Sequence, residues 1–369
     1  MNERRTSPVE LLWDLVFVFA VTQVTALLTH DLTWRGFGRG MLALALIWWA
    51  WSAFVWAANA TDPDGLTLRV ALVVSAILIF ITGLAVPHAF GNEATWFAVT
   101  YTGVRFIHLA LYADASRRGN ASWAAIVGFA VTVVIGMALL IIGSFFEGTV
   151  LAVLWIAAAA IDYAGPAWLT RERLAGLQQV AVAHFAERYG LFIIICLGES
   201  IVAVGVGASG RPLNWELVGP IAISLLITVG MWWTYFDRFA ADAEEHLRNH
   251  DNPVLAAADG YSYIHLALVA GIIVFAVGVK AAVAHVGDPL GDAARLCLCG
   301  GVALYLAGHT AFRLRMTGQL EVAKLAAALG VMAVFAVTGS AAAWITALGV
   351  AVVLLLLTIR EAAEVTSRA

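Results

Sequence analysis

Charge is what this chain has least of. Of its 369 residues only 12% are Asp, Glu, Lys or Arg, while 62% are hydrophobic. A soluble domain carries about a quarter of its residues charged. So few charges cannot cover a water-facing surface, so the solvent around most of this chain must be lipid. Cysteine is nearly as scarce. Cys196, Cys297 and Cys299 all lie in apolar runs, and the last two, two apart, point to different faces of a helix. They suit neither a disulfide nor a zinc site and are read as small packing residues. No glycine-rich phosphate loop is present, which excludes ATP-driven transport by this chain alone. The net charge of −4 gives no electrostatic footprint for a nucleic acid, and no cofactor motif is found. A cleavable leader is not expected either. Glu10 and Asp14 interrupt the first apolar run, and no small-residue cleavage site follows before Thr29.

What is present is a succession of apolar segments of the roughly 17–25 residues a membrane helix needs. Twelve are predicted, near 9–29, 37–59, 66–87, 94–113, 121–144, 148–169, 183–206, 215–236, 261–284, 293–312, 321–338 and 342–359. The last two form one stretch broken only at Gly339-Ser340 and are read as a hairpin, with a single tilted helix as the alternative. The longest predicted loop, Asp237–Gly260, leaves no room for a soluble domain. The expected fold is therefore all-α, a polytopic transmembrane helix bundle.

Loop charge sets the orientation, because cytoplasmic loops are enriched in Lys and Arg. With the N-terminus inside, the inner segments hold fourteen, among them Arg4, Arg5, Arg117, Arg118, Arg313, Lys324, Arg360 and Arg368. The outer segments hold four, Arg35, Arg39, Arg211 and Arg295. Both termini are thus expected in the cytoplasm.

The two halves, 1–180 and 181–369, look alike. WWAWSAFVWAANA from Trp48 resembles WWTYFDRFAADAE from Trp232, and RVALVVSAILIF from Arg69 resembles HLALVAGIIVFA from His265. His108 falls over His309. The matches keep their order along the chain, which suggests a parallel repeat of six spans with a site between the halves.

A charge at the bilayer centre costs at least about 2.5–3.5 kcal/mol, so such residues usually face a bundle interior or a cavity and often mark function. Glu10 and Asp14 share one face of the first span. Arg105 and His108 share a face of the fourth, and an arginine at that depth requires a carboxylate partner because it cannot shed its proton. Asp162 lies in the sixth. His184, Glu187 and Arg188 open the seventh, which also carries Glu199 after eleven uncharged residues. Gly198 and Ser200 flank that Glu and would admit a neighbouring helix closely. His265 and His309 lie near inner ends of their spans. For each of these residues a capping, salt-bridging or packed role competes with a functional one. Together they suggest a polar cavity open to the cytoplasm with Glu199 deeper in. Trp48, Trp49, Trp51 and Trp56 are read as interfacial anchors or as a stacking surface for a ligand.

SPVELLWDLVFVFAVTQVT and HFAERYGLFIIICLGESIVAV resemble the signatures of the bacterial low temperature requirement protein A family. The resemblance implies a multi-pass bacterial membrane protein. It assigns no catalytic residue and marks only Glu10, Asp14, His184, Glu187, Arg188, Glu199 and Ser200. Three functional readings follow from the residues. The first is a secondary transporter or channel for a small ion or polar solute. Glu199 and Asp14 would carry protons or cations, Arg105 and Arg188 would pair with them or bind an anion, and His108 and His184 would relay. The second is an intramembrane metal-dependent enzyme acting on a lipid through His184, Glu187, His265, His309 and an aspartate. The third is a non-catalytic sensor or assembly protein linked to growth in the cold. The lipid bilayer is the expected partner, and a homo-oligomer is compatible with the sequence.

Overall fold

The computed structural model describes residues 6–62, 65–169 and 171–366, so Arg4, Arg5 and Arg368 of the loop-charge argument lie outside the described residues. The described residues fold into helices with no extended strand among them. Ten helical segments are long and apolar enough to cross a membrane. They carry outward-facing apolar side chains such as Leu15, Val73, Ile77, Val131, Leu226 and Leu355, each at least 45% exposed. In water those faces would be costly; in lipid they are the natural exterior. The chain is a multi-pass membrane protein. Two further helices coincide with predicted spans: Ala94–Arg117, which carries Arg105 and His108 and is the more polar, and Val322–Val337, which is short.

The chain divides into two compact units, 1–189 with 247–263, and 190–246 with 264–369. The first holds α1 (Pro8–His30), α2 (Trp34–Ala60), α3 (Leu66–Ala85), α4 (Ala94–Arg117), α5 (Trp123–Gly143) and α6 (Gly148–Ala164). It continues through the short α7 (Arg171–Leu174) and the first two turns of α8 (Val182–Ala208). The start of α1 is fixed locally: Ser7 Oγ accepts from Glu10 N, Glu10 returns its carboxylate to Ser7 N at 2.8 Å, and Pro8 opens the first turn. Residues 165–169 and 258–264 wind as wide π-helical turns. The first begins at Gly165, where a Cβ would collide with Thr132 of α5. The polar tips of aromatic side chains tie these helices together: Tyr101 OH donates to Leu46 O, Tyr163 OH to Ala45 O and Trp155 Nε1 to Leu140 O.

The second unit holds the rest of α8, α9 (Trp215–Phe236), α10 (Phe239–Arg248, up to His246), α12 (His265–Ala284), α13 (Asp292–Thr317), α14 (Val322–Val337) and α15 (Ala343–Thr366). α11 (Pro253–Ala257) belongs to the first. The segment expected as the longest loop, 237–260, is thus largely helical. The apolar stretch 321–359 breaks at 338–342 into two helices. Helices α12 and α13 pack backbone against backbone. Gly271 and Gly278, two turns apart, lie against Gly301 and Leu298, and Gly301 and Gly308 against Phe275 and Leu268. No side chain larger than hydrogen fits at these crossings, which is how small residues let membrane helices approach.

Candidate functional site

Asp14 and Arg188 each lie six residues inside the start of their helix, about 9 Å along the axis at 1.5 Å per residue. At that depth neither is exposed. Arg188 Nη2 donates to Asp14 Oδ1 and Nη1 donates to Glu10 Oε1 at 3.1 Å. Trp51 Nε1 of α2 donates to the same Asp14 oxygen at 2.8 Å. His184, one turn before Arg188 on α8, brings Nε2 to 3.3 Å from Glu10 Oε1. Glu10 therefore has two jobs: it caps α1 and it pairs with groups on α8. All of this lies in the first unit. Two carboxyl groups, one guanidinium and one imidazole are thus buried together within the first unit.

Next to it runs an aromatic and hydroxyl network. Tyr189 OH lies 2.7 Å from Ser52 Oγ and 3.1 Å from Ser262 Oγ, and Trp56 Nε1 donates to Ser262 Oγ at 2.8 Å. Trp48 Nε1 donates to Ser262 O at 2.7 Å. Trp51 packs edge-on against Tyr189 with centroids 4.8 Å apart. Ser52, Trp56 and Ser262 also border a cavity of about 60 Å³ whose far wall holds Arg105, His108 and Asp162. Arg105, midway along α4, donates from Nη2 to Asp162 Oδ1 at 2.8 Å, and both residues are about 2% exposed. The carboxylate that a buried arginine demands is thus supplied by α6.

The structure places the remaining candidates elsewhere. Glu187 is exposed and takes Thr6 N at 3.4 Å. Glu199 and Ser200 are buried in the second unit. A Cβ at Gly198 would meet nothing within 4 Å, so the close approach expected beside Glu199 does not occur there; it occurs at Gly207, against Lys280 O. His265 and His309 come together around Tyr235 in the second unit. Tyr235 OH lies 2.9 Å from His265 Nε2. Lys324 Nζ lies 3.3 Å from His309 Nδ1, and since an ammonium only donates, Nδ1 accepts. Lys324 also reaches Glu321 at 3.4 Å and Glu361 at 3.7 Å. Sequence reading missed Lys324, counted as a loop charge, and Trp51, counted as an anchor or stacking surface; nothing local to Trp51 signals the carboxylate that another helix supplies. Among the described residues no three His, Cys, Asp or Glu side chains cluster as metal ligands.

A sequence profile of the family described as bacterial low temperature requirement A protein (LtrA) matches residues 5–359. The chain belongs to that family. A relative from Rhizobium meliloti (strain 1021), described only as an uncharacterized protein, is 31% identical over 323 residues, which is 83% of this chain and 76% of the relative. No solved structure matches. Membership in the LtrA family covers both clusters and the cavity.

Proposed function

We propose that this LtrA-family protein is a secondary transporter or channel for a small ion or polar solute, with Glu10 and Asp14 as its proton- or cation-bearing carboxylates. The observation that carries the reading is the group Glu10, Asp14, His184 and Arg188. Four ionisable side chains are buried together on two helices, two of them carboxyls that share one guanidinium. Ionisable groups inside membrane spans are costly, rare and mark proton relays and ion paths. Trp51, which donates to Asp14, packs edge-on against Tyr189, whose hydroxyl meets Ser52 and Ser262 on the wall of the Arg105–Asp162 cavity, a place for cargo.

The packing order supports a six-plus-six repeat. In the first unit α3 packs on α4, α4 on α5, α5 on α6 and α2 on α6; in the second, α12 on α13, α13 on α14, α14 on α15 and α9 on α15. In this reading both termini are cytoplasmic and the inner ends of α1 and α8 open toward the cytoplasm. Glu199, buried in the second unit, is a further carboxylate for the test. The test is flux in proteoliposomes under an imposed pH or cation gradient. Flux should fall to background in Asp14→Asn and drop in Glu199→Gln. Flux unchanged in both variants removes these carboxylates from the mechanism.

A further inference from the structure

Arg105 is bonded to Asp162 through Nη2 alone. Its Nε and Nη1 find no acceptor among the described residues. A guanidinium keeps all five N–H donors at any physiological pH, so the buried cation faces its cavity with donors to spare. Asp162 offers the opposite: a carboxylate has about four lone-pair positions, of which Arg105 Nη2 takes one. Of the other polar groups of the wall, Ser52 is bonded by Tyr189 and Ser262 by Trp56 and Tyr189, whereas His108 Nδ1 has no hydrogen-bond partner among the described residues. Unused donors and acceptors therefore converge at one spot in an otherwise aromatic and apolar chamber walled by Trp49, Trp56, Tyr112 and Phe129. That is the pattern of a ligand pocket.

Size and charge narrow the occupant. A cavity of about 60 Å³, at roughly 10–15 Å³ for each water-sized group, holds about four to six non-hydrogen atoms. The Arg105–Asp162 pair is neutral. An anion or a cation bound there would leave one buried charge unbalanced, at a penalty that low dielectric enlarges. A net-neutral solute with an acceptor at one end and a donor at the other meets both demands. The wall is also built to hold its shape. Trp49 is stacked on Tyr163 at 4.0 Å between centroids. Both π-helical turns contribute to it, through Pro166 in one and Ala258, Ser262 and Tyr263 in the other. Such wide turns recur at functional sites. Arg171 grips Asp259 with two bonds of 2.8 and 2.7 Å, tying the segment after the first turn to the second.

We propose that the cavity between Arg105 and Asp162 binds a small net-neutral solute that offers an acceptor to the guanidinium and a donor to the carboxylate: a glycine-sized zwitterion or a simple amide. As a cargo site it rests on the transport reading; as a binding site it does not. The experiment is calorimetric titration of the purified full chain in nanodiscs with glycine, acetamide, acetate and methylammonium. Saturable binding of glycine or acetamide, at least tenfold tighter than acetate or methylammonium, is expected. Glycine binding alone identifies the zwitterion and acetamide binding alone the amide. Arg105→Lys should weaken the bound solute roughly ten- to hundredfold, the effect of losing a charge-assisted hydrogen bond. Val133→Phe, which fills the cavity and leaves the ion pair intact, should abolish binding with helicity and melting temperature retained. Tighter binding of acetate or methylammonium, no saturable heat with any of the four, or full binding in folded Val133→Phe overturns the proposal. Binding without flux in proteoliposomes leaves this site standing and removes the transport reading; flux without binding here does the reverse.

Discussion

Arg188 sits between two carboxylates and within 5.9 Å of the face of Trp13, while Arg105, buried to a similar degree in the same unit, has one carboxylate and unpaired donors. The first guanidinium bonds two carboxylates and the second one; one N–H nitrogen of Arg188 and two of Arg105 have no partner among the described residues. Taking an ion out of water costs several kcal/mol unless partners replace its hydration. Arg188 shares its charge with two carboxylates. Arg105 has one and borders a cavity. In the proposed transport reading the first group holds the coupling charge and the cavity the cargo.

The largest break in this comparison is expected from Arg188→Met. It strands Glu10 and Asp14 without their cation, and removing one partner of a buried ion pair costs about 3–5 kcal/mol. Thermal melting in detergent should show a severe loss, and the triple change with Glu10→Gln and Asp14→Asn should restore most of it. Arg105→Met strands only Asp162 and should lie near 3 kcal/mol, the low end of the same range. Equal losses in the two variants would erase the distinction between the arginines. A smaller effect, about 1.5–3 kcal/mol, is expected for Trp51→Phe, which withdraws one hydrogen bond from an ionised group; the same change should alter the pH dependence of flux, since Asp14 loses a donor. The smallest effect belongs to a carboxylate outside the membrane. Asp31 is held below its ordinary pKa by hydrogen bonds from Thr33, Oγ1 at 2.6 Å and N at 3.2 Å. Its folded pKa is depressed, so its contribution is present above the unfolded pKa and fades as pH falls through the folded one. Asp31→Asn should leave melting near neutral pH unchanged within error and remove only that acid-side slope.

Reading the sequence located the helices well, because apolar runs of membrane length leave few alternatives; α8 and α9 begin within one residue of their expected starts. It was weaker wherever function depends on which helix stands beside which. Glu10, Asp14, His184 and Arg188 were each visible as charges in apolar surroundings, yet their meeting requires α1 and the start of α8 to lie side by side, and no local pattern states that. The need of Arg105 for a carboxylate was legible from chemistry; the choice of Asp162 over other acids was not. Glu187, three residues from the buried His184, was grouped with it by spacing alone, and its side chain is exposed. Lys324 was hidden by its place near a helix start, where a lysine ordinarily reaches water, and the structure buries it beside Glu321, Glu361 and His309. Segment 237–260 read as loop because its charge is dense; its helices α10 and α11 are set by capping residues such as Asn252, whose side chain accepts from Leu255 N at 3.0 Å.

The account turns on whether the Glu10–Asp14–His184–Arg188 group moves protons. The direct measurement is dissipation of an imposed pH gradient across proteoliposomes by the intact protein and by the folded double variant Glu10→Gln/Asp14→Asn. The account predicts dissipation by the intact protein and background leakage by the variant; equal dissipation by both would contradict it.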